Sequence, residues 1–208
     1  MNYNFPPRYL ILLLVFILSC CTKEKNIINK GNEGKVQKVI VIQPLGDFQL
    51  NQAKRVLTQI KTINSDVVLR QNISFPENSF YNPRNRYRAD SIIKNLRNHI
   101  GSDSVIVGLS NYDISTTKDG IKDWGVMGLG YKPGKACVVS DFRLSTKNKN
   151  EQFYKLVLHE LGHTAGLPHC KIKTCLMRDA KGSNPFDQEK AFCSHCKRFL
   201  KSKGWQLI

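Results

Sequence analysis

Three histidines and one glutamate lie in a short segment at the spacing of a zinc site. Residues 159–169 read HELGHTAGLPH, so two of the histidines are four residues apart. Residues four apart lie on the same face of a helix, and His159 and His163 can therefore bind one ion together. Glu160 projects from the same turn, close enough to act as a general base toward an attacking water without being a ligand.

The third ligand must come from beyond the helix. Gly166 can adopt the left-handed conformation that ends a helix, after which the chain can turn back and bring His169 to the ion. Three imidazoles leave a fourth position open, as a catalytic zinc requires. The chain has five histidines, and three of them at the offsets named for metzincins argue against a solvated helix end with incidental histidines.

Four cysteines follow this segment in the sequence. Cys170 follows the third histidine directly, Cys175 precedes the pair Leu176-Met177, and residues 193–196 read CSHC. Four thiolates fit a tetrahedral structural zinc, and a pair of disulfides is the alternative in an oxidising compartment. Cys137 remains outside the set in an apolar, β-branched context, where we expect a buried and inert thiol.

The histidine and cysteine pattern resembles the archaemetzincins, a compact metzincin family. In that family a cysteine follows the third zinc histidine and three more cysteines complete a second, structural zinc site. The resemblance implies two zinc ions per chain, one held by the three histidines and one by Cys170, Cys175, Cys193 and Cys196. It favours zinc over disulfides. His195 could replace one cysteine as a ligand, but all four cysteines are present, so we do not expect it to bind the metal. It also implies that Met177 is the methionine of the turn beneath the catalytic zinc.

The resemblance covers roughly residues 36–200, with residues 125–130 similar to the family's edge strand and residues 136–144 to the strand before its catalytic helix. It implies an α/β, metzincin-like α+β fold. That fold has a mixed twisted sheet with helices packed on it, a catalytic helix, the Met-turn and a short zinc-stapled C-terminal subdomain. The chain departs from the family in a slightly short loop between Met177 and Cys193 and in its N-terminus.

The first residues have the composition of a secretion signal. Arg8 is followed by an apolar run at residues 10–18, which is too short for a mature membrane-spanning helix. Residues 17–20 read ILSC, which resembles a bacterial lipoprotein box with Cys20 as the lipidated residue; Cys21 fits this box less well. We therefore expect a lipoprotein signal peptide at 1–19, a flexible tether at 20–35 and one peptidase domain at 36–208. An uncleaved anchor and a secreted form are the alternatives.

Hydrophobic periodicity predicts alternating strands and helices. We expect strands at residues 36–42, 67–71, 104–109, 126–131 and 136–142, and helices at 49–63 and 87–100 before the catalytic helix. Residues 111–124 are polar and rich in turn formers, and we assign them no regular structure. Such alternation implies a mixed sheet with packed helices.

These features together predict a zinc-dependent peptidase on a bacterial membrane, with His159, His163 and His169 as zinc ligands and Glu160 as general base. We expect a peptide or protein substrate, a monomer, and a location in the cell envelope outside the cytoplasm. The net charge of +16 favours an anionic surface ligand, although lysines that serve solubility explain it too. No motif indicates nucleic acid. The alternative function is a zinc-stabilised surface module that binds anionic ligands without hydrolysis.

Overall fold

Strands and helices alternate along most of the chain. The computed structural model describes Met1 and residues 38–207, and the predicted signal peptide after Met1 and the whole predicted tether at 20–35 lie outside these described residues. The described strands are β1 Val39–Pro44, β2 Val67–Leu69, β3 Phe80–Tyr81, β4 Arg86–Arg88, β5 Ser104–Ser110, β6 Ile114–Lys118, β7 Ile121–Val126, β8 Gly128–Gly130 and β9 Ala136–Ser140. The described helices are α1 Leu50–Lys61, α2 Ala89–Arg97, α3 Lys149–Ala165 and α4 Ser194–Lys201.

The main sheet has five strands in the order β2-β1-β5-β9-β8. Strands β2, β1, β5 and β9 are parallel, and β8 pairs with β9 in the antiparallel direction. The mixed α/β fold predicted from the sequence is confirmed. Strand β8 is the edge strand of this sheet, next to helix α3.

Side chains of the central strands alternate between two apolar layers. In β1, Ile40 and Ile42 belong to the layer that holds buried residues of α1 and α3, whereas Val41 belongs to the layer that holds α2. The alternation follows the two-residue period of a strand. Because both faces are covered, the strands are continuous hydrophobic runs. Cys137 in β9 is fully buried, as predicted.

A second sheet has four strands in the order β3-β4-β6-β7. Strands β6 and β7 form a hairpin whose turn contains Asp119 and Gly120, both with positive φ. The absence of regular structure expected for residues 111–124 is therefore wrong. Polar side chains obscured the hairpin, and its partner strand β4 lies far away in the sequence.

Several predicted boundaries also shift. Residues 87 and 88 form part of β4, so helix α2 begins at Ala89 rather than at Tyr87. The strand expected at residues 126–131 divides into the end of β7 and the short strand β8, which belong to different sheets. Within the described part of the chain, no helix is both long and apolar enough to cross a membrane.

Candidate metal centres

Helix α3 carries the first two histidines and the glutamate. It is buried along most of its length, and His159 and Glu160 are only 7% and 5% exposed. The helix ends at Gly166, which has φ 110°, and the backbone N–H of Leu167 bonds back to the carbonyl of Gly162. The left-handed glycine ends the helix as predicted and redirects the chain toward His169.

The three histidines meet at their Nε2 atoms. His163 Nε2 lies 3.1 Å from His159 Nε2 and 3.3 Å from His169 Nε2. Two nitrogens at 2.0–2.1 Å from a tetrahedral zinc are about 3.3 Å apart. His163 Nε2 is therefore separated from each of the other two nitrogens as two ligands of one zinc ion would be, and the donor set fits this metal.

Each ring is oriented through its other nitrogen. Nδ1 of His159 donates to the carbonyl of Leu176 at 2.6 Å, and Nδ1 of His163 donates to the carbonyl of Leu167 at 2.8 Å. A hydrogen on Nδ1 leaves Nε2 with its lone pair available for a metal. His169 is half-exposed, and its Nδ1 faces the Asp179 carboxylate at 3.9 Å. Asp179 was not predicted from the sequence.

The electrostatics of the site keep two of the imidazoles neutral. Burial, and then the charge of His163, lower the pKa of His159 to about 3. Burial also lowers the pKa of His163. Neutral imidazole is the form that binds a metal ion.

Glu160 stands beside the triad against the edge strand. Within the described chain its Oε2 has no hydrogen-bond partner, and burial raises its pKa to about 8. A Cβ added at Gly128 would lie 2.6 Å from Glu160 Oε1, and one at Gly130 would lie 2.9 Å from the Glu160 carbonyl. The two glycines therefore let helix α3 and its carboxylate approach β8 closely. A cation in the triad would favour the ionised carboxylate.

Met177, the predicted turn methionine, packs against the turn of α3 that lies between His159 and His163. It is fully buried, and a Cβ added at Gly162 in α3 would lie 2.5 Å from its Sδ. The helix therefore needs a glycine between its two histidines to accept this side chain. The structure brings Met177 and the Leu176 carbonyl against the same turn of α3.

The four cysteines form a second cluster. Cys170, Cys175, Cys193 and Cys196 have Sγ atoms within 4.8 Å of one another, and Cys170 Sγ lies 3.8 Å from Cys193 Sγ. Sulfurs at 2.3 Å from a tetrahedral zinc are about 3.8 Å apart, whereas a disulfide bond is about 2.05 Å long. None of the described cysteines is in a disulfide. The exposed His195 is not part of the cluster.

The cysteine cluster joins three segments. Cys175 Sγ accepts backbone N–H groups of Met177 at 3.5 Å and of Cys193 at 3.3 Å. Burial raises the pKa of Cys175, whereas at Cys193 burial is outweighed by hydrogen bonds with Cys196, Cys170 and Cys175 together, which lower the pKa to about 7. Four thiols at one point ionise together only beside a cation, so the donor chemistry fits a divalent metal. Cys20, the predicted lipidation site, lies outside the described residues.

A cavity of about 370 Å³ opens beside the triad. His159, Glu160 and His169 line one part of it, and Glu189 lines another. Glu189 is 1% exposed, and neither of its carboxylate oxygens has a hydrogen-bond partner among the described residues. The sequence analysis missed Glu189, because only the path of the loop after Met177 shows that this residue is buried.

Comparison with known proteins identifies relatives over most of the chain. The sequence model described as Peptidase family M54 matches residues 47–202. Archaemetzincin from Haloquadratum walsbyi is 29% identical over 176 residues, which cover 78% of this chain and 99% of that protein. Archaemetzincin from Methanopyrus kandleri is 30% identical over 137 residues, which cover 64% of this chain and 76% of that protein.

Solved structures show the same fold. The crystal structure of archaemetzincin from Methanopyrus kandleri superposes with a TM-score of 0.67 at 24% identity, over 80% of this chain and 95% of that one. Archaemetzincin from Archaeoglobus fulgidus, complexed with malonate, gives a TM-score of 0.66 at 24% identity, over 77% of this chain and 98% of that one.

Replacement of one cluster cysteine tests metal binding against disulfide formation. We expect Cys175→Ala to lower the zinc content by one ion per chain and to lower the melting temperature, because three thiolates hold the metal less well. Elemental analysis and thermal unfolding measure the two effects. Cys137→Ala, which removes a buried thiol outside the cluster, should keep the metal. Unchanged zinc content in Cys175→Ala, together with a newly titratable thiol, would support disulfides.

The buried Glu189 carboxyl makes stability depend on pH. Burial raises its pKa from 4.5 to about 7, against the opposing charges of Arg178 and Lys155. The folded state therefore keeps the proton to higher pH than the unfolded chain, and stability is lost as the pH rises from about 4.5 to about 7. At 1.36 kcal/mol per pKa unit the loss is about 3 kcal/mol.

Glu189→Gln should remove this loss. The difference in unfolding free energy between Glu189→Gln and the native chain should grow in favour of the variant between pH 5 and pH 8. Chemical denaturation at several pH values measures it, and the subtraction removes pH effects common to both proteins. A difference that stays constant with pH would show that Glu189 ionises normally.

Proposed function

This chain belongs to peptidase family M54, the archaemetzincins, and from that premise we propose that it hydrolyses peptide bonds with zinc bound to His159, His163 and His169. The observation that carries the proposal is the convergence of the three Nε2 atoms, at 3.1 and 3.3 Å, beside the buried Glu160. A metal-binding scaffold has no need of a carboxylate at that position.

Zinc, when bound, supplies Lewis-acid chemistry, which polarises a carbonyl group and lowers the pKa of water at the metal to about 7. Glu160 acts as the general base: its unpartnered Oε2 takes the proton of the attacking water and then delivers it to the departing amine. The carboxylate is held for this task by the close contact of α3 with Gly128 and Gly130. The residues packed around Glu160 position its carboxylate and take no part in the proton transfer.

Strand β8 offers a place for the substrate backbone. It is the edge strand of the main sheet, beside the helix that carries His159 and Glu160. An extended peptide can add to such an edge through main-chain hydrogen bonds. Backbone pairing is tolerant of sequence, so side-chain selectivity must come from the adjoining cavity.

Removal of the Glu160 carboxylate tests this mechanism. We expect Glu160→Gln to lower kcat by at least 100-fold, because general-base catalysis contributes about 10²–10⁴-fold. Zinc content should not change, because Glu160 is not a ligand. The assay uses the full chain, purified in detergent and loaded with zinc, on a mixed peptide library read by mass spectrometry.

Glu77→Gln is the control for this variant. Glu77 is an exposed glutamate in the segment before β3, and its replacement should leave cleavage intact. Undiminished cleavage by Glu160→Gln would refute the general-base role. A zinc-loaded native chain that cleaves no peptide would favour the surface binding module.

A lipid anchor at Cys20 is the second part of the proposed function. The apolar run at residues 10–18, followed by Ser19 and Cys20, supports export and attachment to a bacterial membrane. The family match begins at residue 47, so this segment comes in addition to the peptidase domain. The enzyme would then act in the cell envelope, outside the cytoplasm.

Cys20→Ala should release the protein from the membrane fraction of a bacterial host. The reason is that the lipid can be added only to this thiol if the signal is of the lipoprotein type. Fractionation followed by immunoblotting measures the change, and Cys21→Ala serves as the control that keeps the anchor. Membrane association that survives Cys20→Ala would exclude the lipoprotein assignment.

A further inference from the structure

The cavity beside the triad contains a group of apolar side chains and a buried acid. Leu156 of α3 and the loop residues Pro185 and Phe186 provide apolar surface, and Leu156 and Phe186 are themselves buried. Glu189 lines the same cavity with its carboxylate buried. The cavity therefore joins the candidate catalytic residues to one deep negative group.

Glu189 has no cation of its own among the residues that the structure describes. The Nζ of Lys155 donates to the backbone carbonyls of Phe186 and Glu189 and pairs with the Glu151 carboxylate at 2.7 Å. Arg178 Nη1 donates to the side chain of Gln188 at 2.7 Å. Both cations are occupied elsewhere, although their fields reach Glu189.

A buried carboxylate without a partner is costly to maintain. Its desolvation is not repaid by any hydrogen bond, and such groups are rare in folded proteins unless they have a function. The folded chain tolerates this cost next to the site where a substrate would bind. A ligand that places a cation beside the Glu189 carboxylate would remove this cost.

We propose that the cavity receives a lysine or arginine side chain of the substrate, next to the bond that is cut, and that Glu189 binds its cationic end. This proposal rests on the proposed peptidase function and names its substrate class. Leu156, Pro185 and Phe186 suit the methylene stem of such a side chain, and the carboxylate suits its charged end. A short or acidic side chain would leave Glu189 unpaired.

Four basic residues also line this cavity, of which Arg178 is bonded to Gln188 as described above and Lys181 is exposed. Arg143 binds both carboxylate oxygens of Asp113 at 2.7 and 2.8 Å. Lys118 lies over the Trp124 ring, 5.5 Å from its centroid. Both are exposed and screened by solvent, whereas the buried Glu189 acts in a medium of lower dielectric constant.

A peptide library is the first test. The full chain, purified in detergent and loaded with zinc, should cleave a mixed library with lysine and arginine enriched at one position beside the cut bond. Two fluorogenic peptides that differ only in lysine or norleucine at that position then measure the contribution of the charge. Norleucine keeps the aliphatic stem and lacks the cation.

Glu189→Gln should lower kcat/KM for the lysine peptide by about 10- to 100-fold, which is typical of a charged hydrogen bond, and leave the norleucine peptide nearly unaffected. Retained cleavage of norleucine also shows that the variant is folded. Glu189→Asp should keep part of the lysine preference. Glu77→Gln, which neutralises an exposed glutamate, should behave like the native chain.

Binding gives a readout that does not depend on turnover. The lysine peptide should bind the zinc-loaded Glu160→Gln variant more tightly than it binds the Glu160→Gln, Glu189→Gln double variant, as measured by fluorescence anisotropy. Equal binding would overturn the proposal.

The possible library results separate the two proposals. Cleavage with no basic preference, with acidic residues enriched, or with the same lysine-to-norleucine ratio in Glu189→Gln would overturn the role of Glu189 and leave the peptidase intact. A native chain that cleaves nothing would overturn the peptidase itself.

Discussion

The hydrogen bond from His159 to the carbonyl of Leu176 links the two candidate metal centres. It spans 2.6 Å between helix α3 and the turn that contains Met177. Two residues before that methionine lies Cys175, and the N–H of Cys170 bonds to the Met177 carbonyl at 2.7 Å. A shift of this turn would therefore move a histidine ring and the cysteine cluster together. The cluster can therefore stabilise the histidine site both through this turn and through the peptide bond that joins Cys170 to His169.

Glycines on both sides of α3 make the close packing around this helix possible. Gly162 leaves room for the Met177 sulfur on one side of the helix, and Gly128 and Gly130 leave room for Glu160 on the other. Interiors are packed so densely that one extra methyl group in such a place must displace its neighbours. The helix is thus held between the turn and the edge strand, which fixes the direction of the Glu160 carboxylate. The glycines of β8 have a packing role that also serves the site.

The metal residues were predictable from their local spacing, whereas contacts between distant parts of the chain were not predictable from the sequence. The four-residue interval between His159 and His163 follows from helix geometry, and the central strands are apolar runs. The second sheet was missed because its strands are polar and β4 pairs with the distant β6. The Asp119-Gly120 pair is a hairpin signal that the sequence contained. Glu189 had no local signal at all, since its burial depends on how the loop after Met177 returns to α3.

This protein has charged side chains both on its surface and in its interior. The sequence is strongly basic, with a formal net charge of +16, yet exposed lysines attract ligands only through a solvent-screened field. The cavity is lined by basic residues too, but Glu160 and Glu189 are the buried charges there, and within the described chain Oε2 of Glu160 and both carboxylate oxygens of Glu189 lack hydrogen-bond partners. A buried charge interacts more strongly than several exposed ones. In the proposed peptidase, the chemistry of the site and its selectivity depend on these two carboxylates rather than on the overall charge.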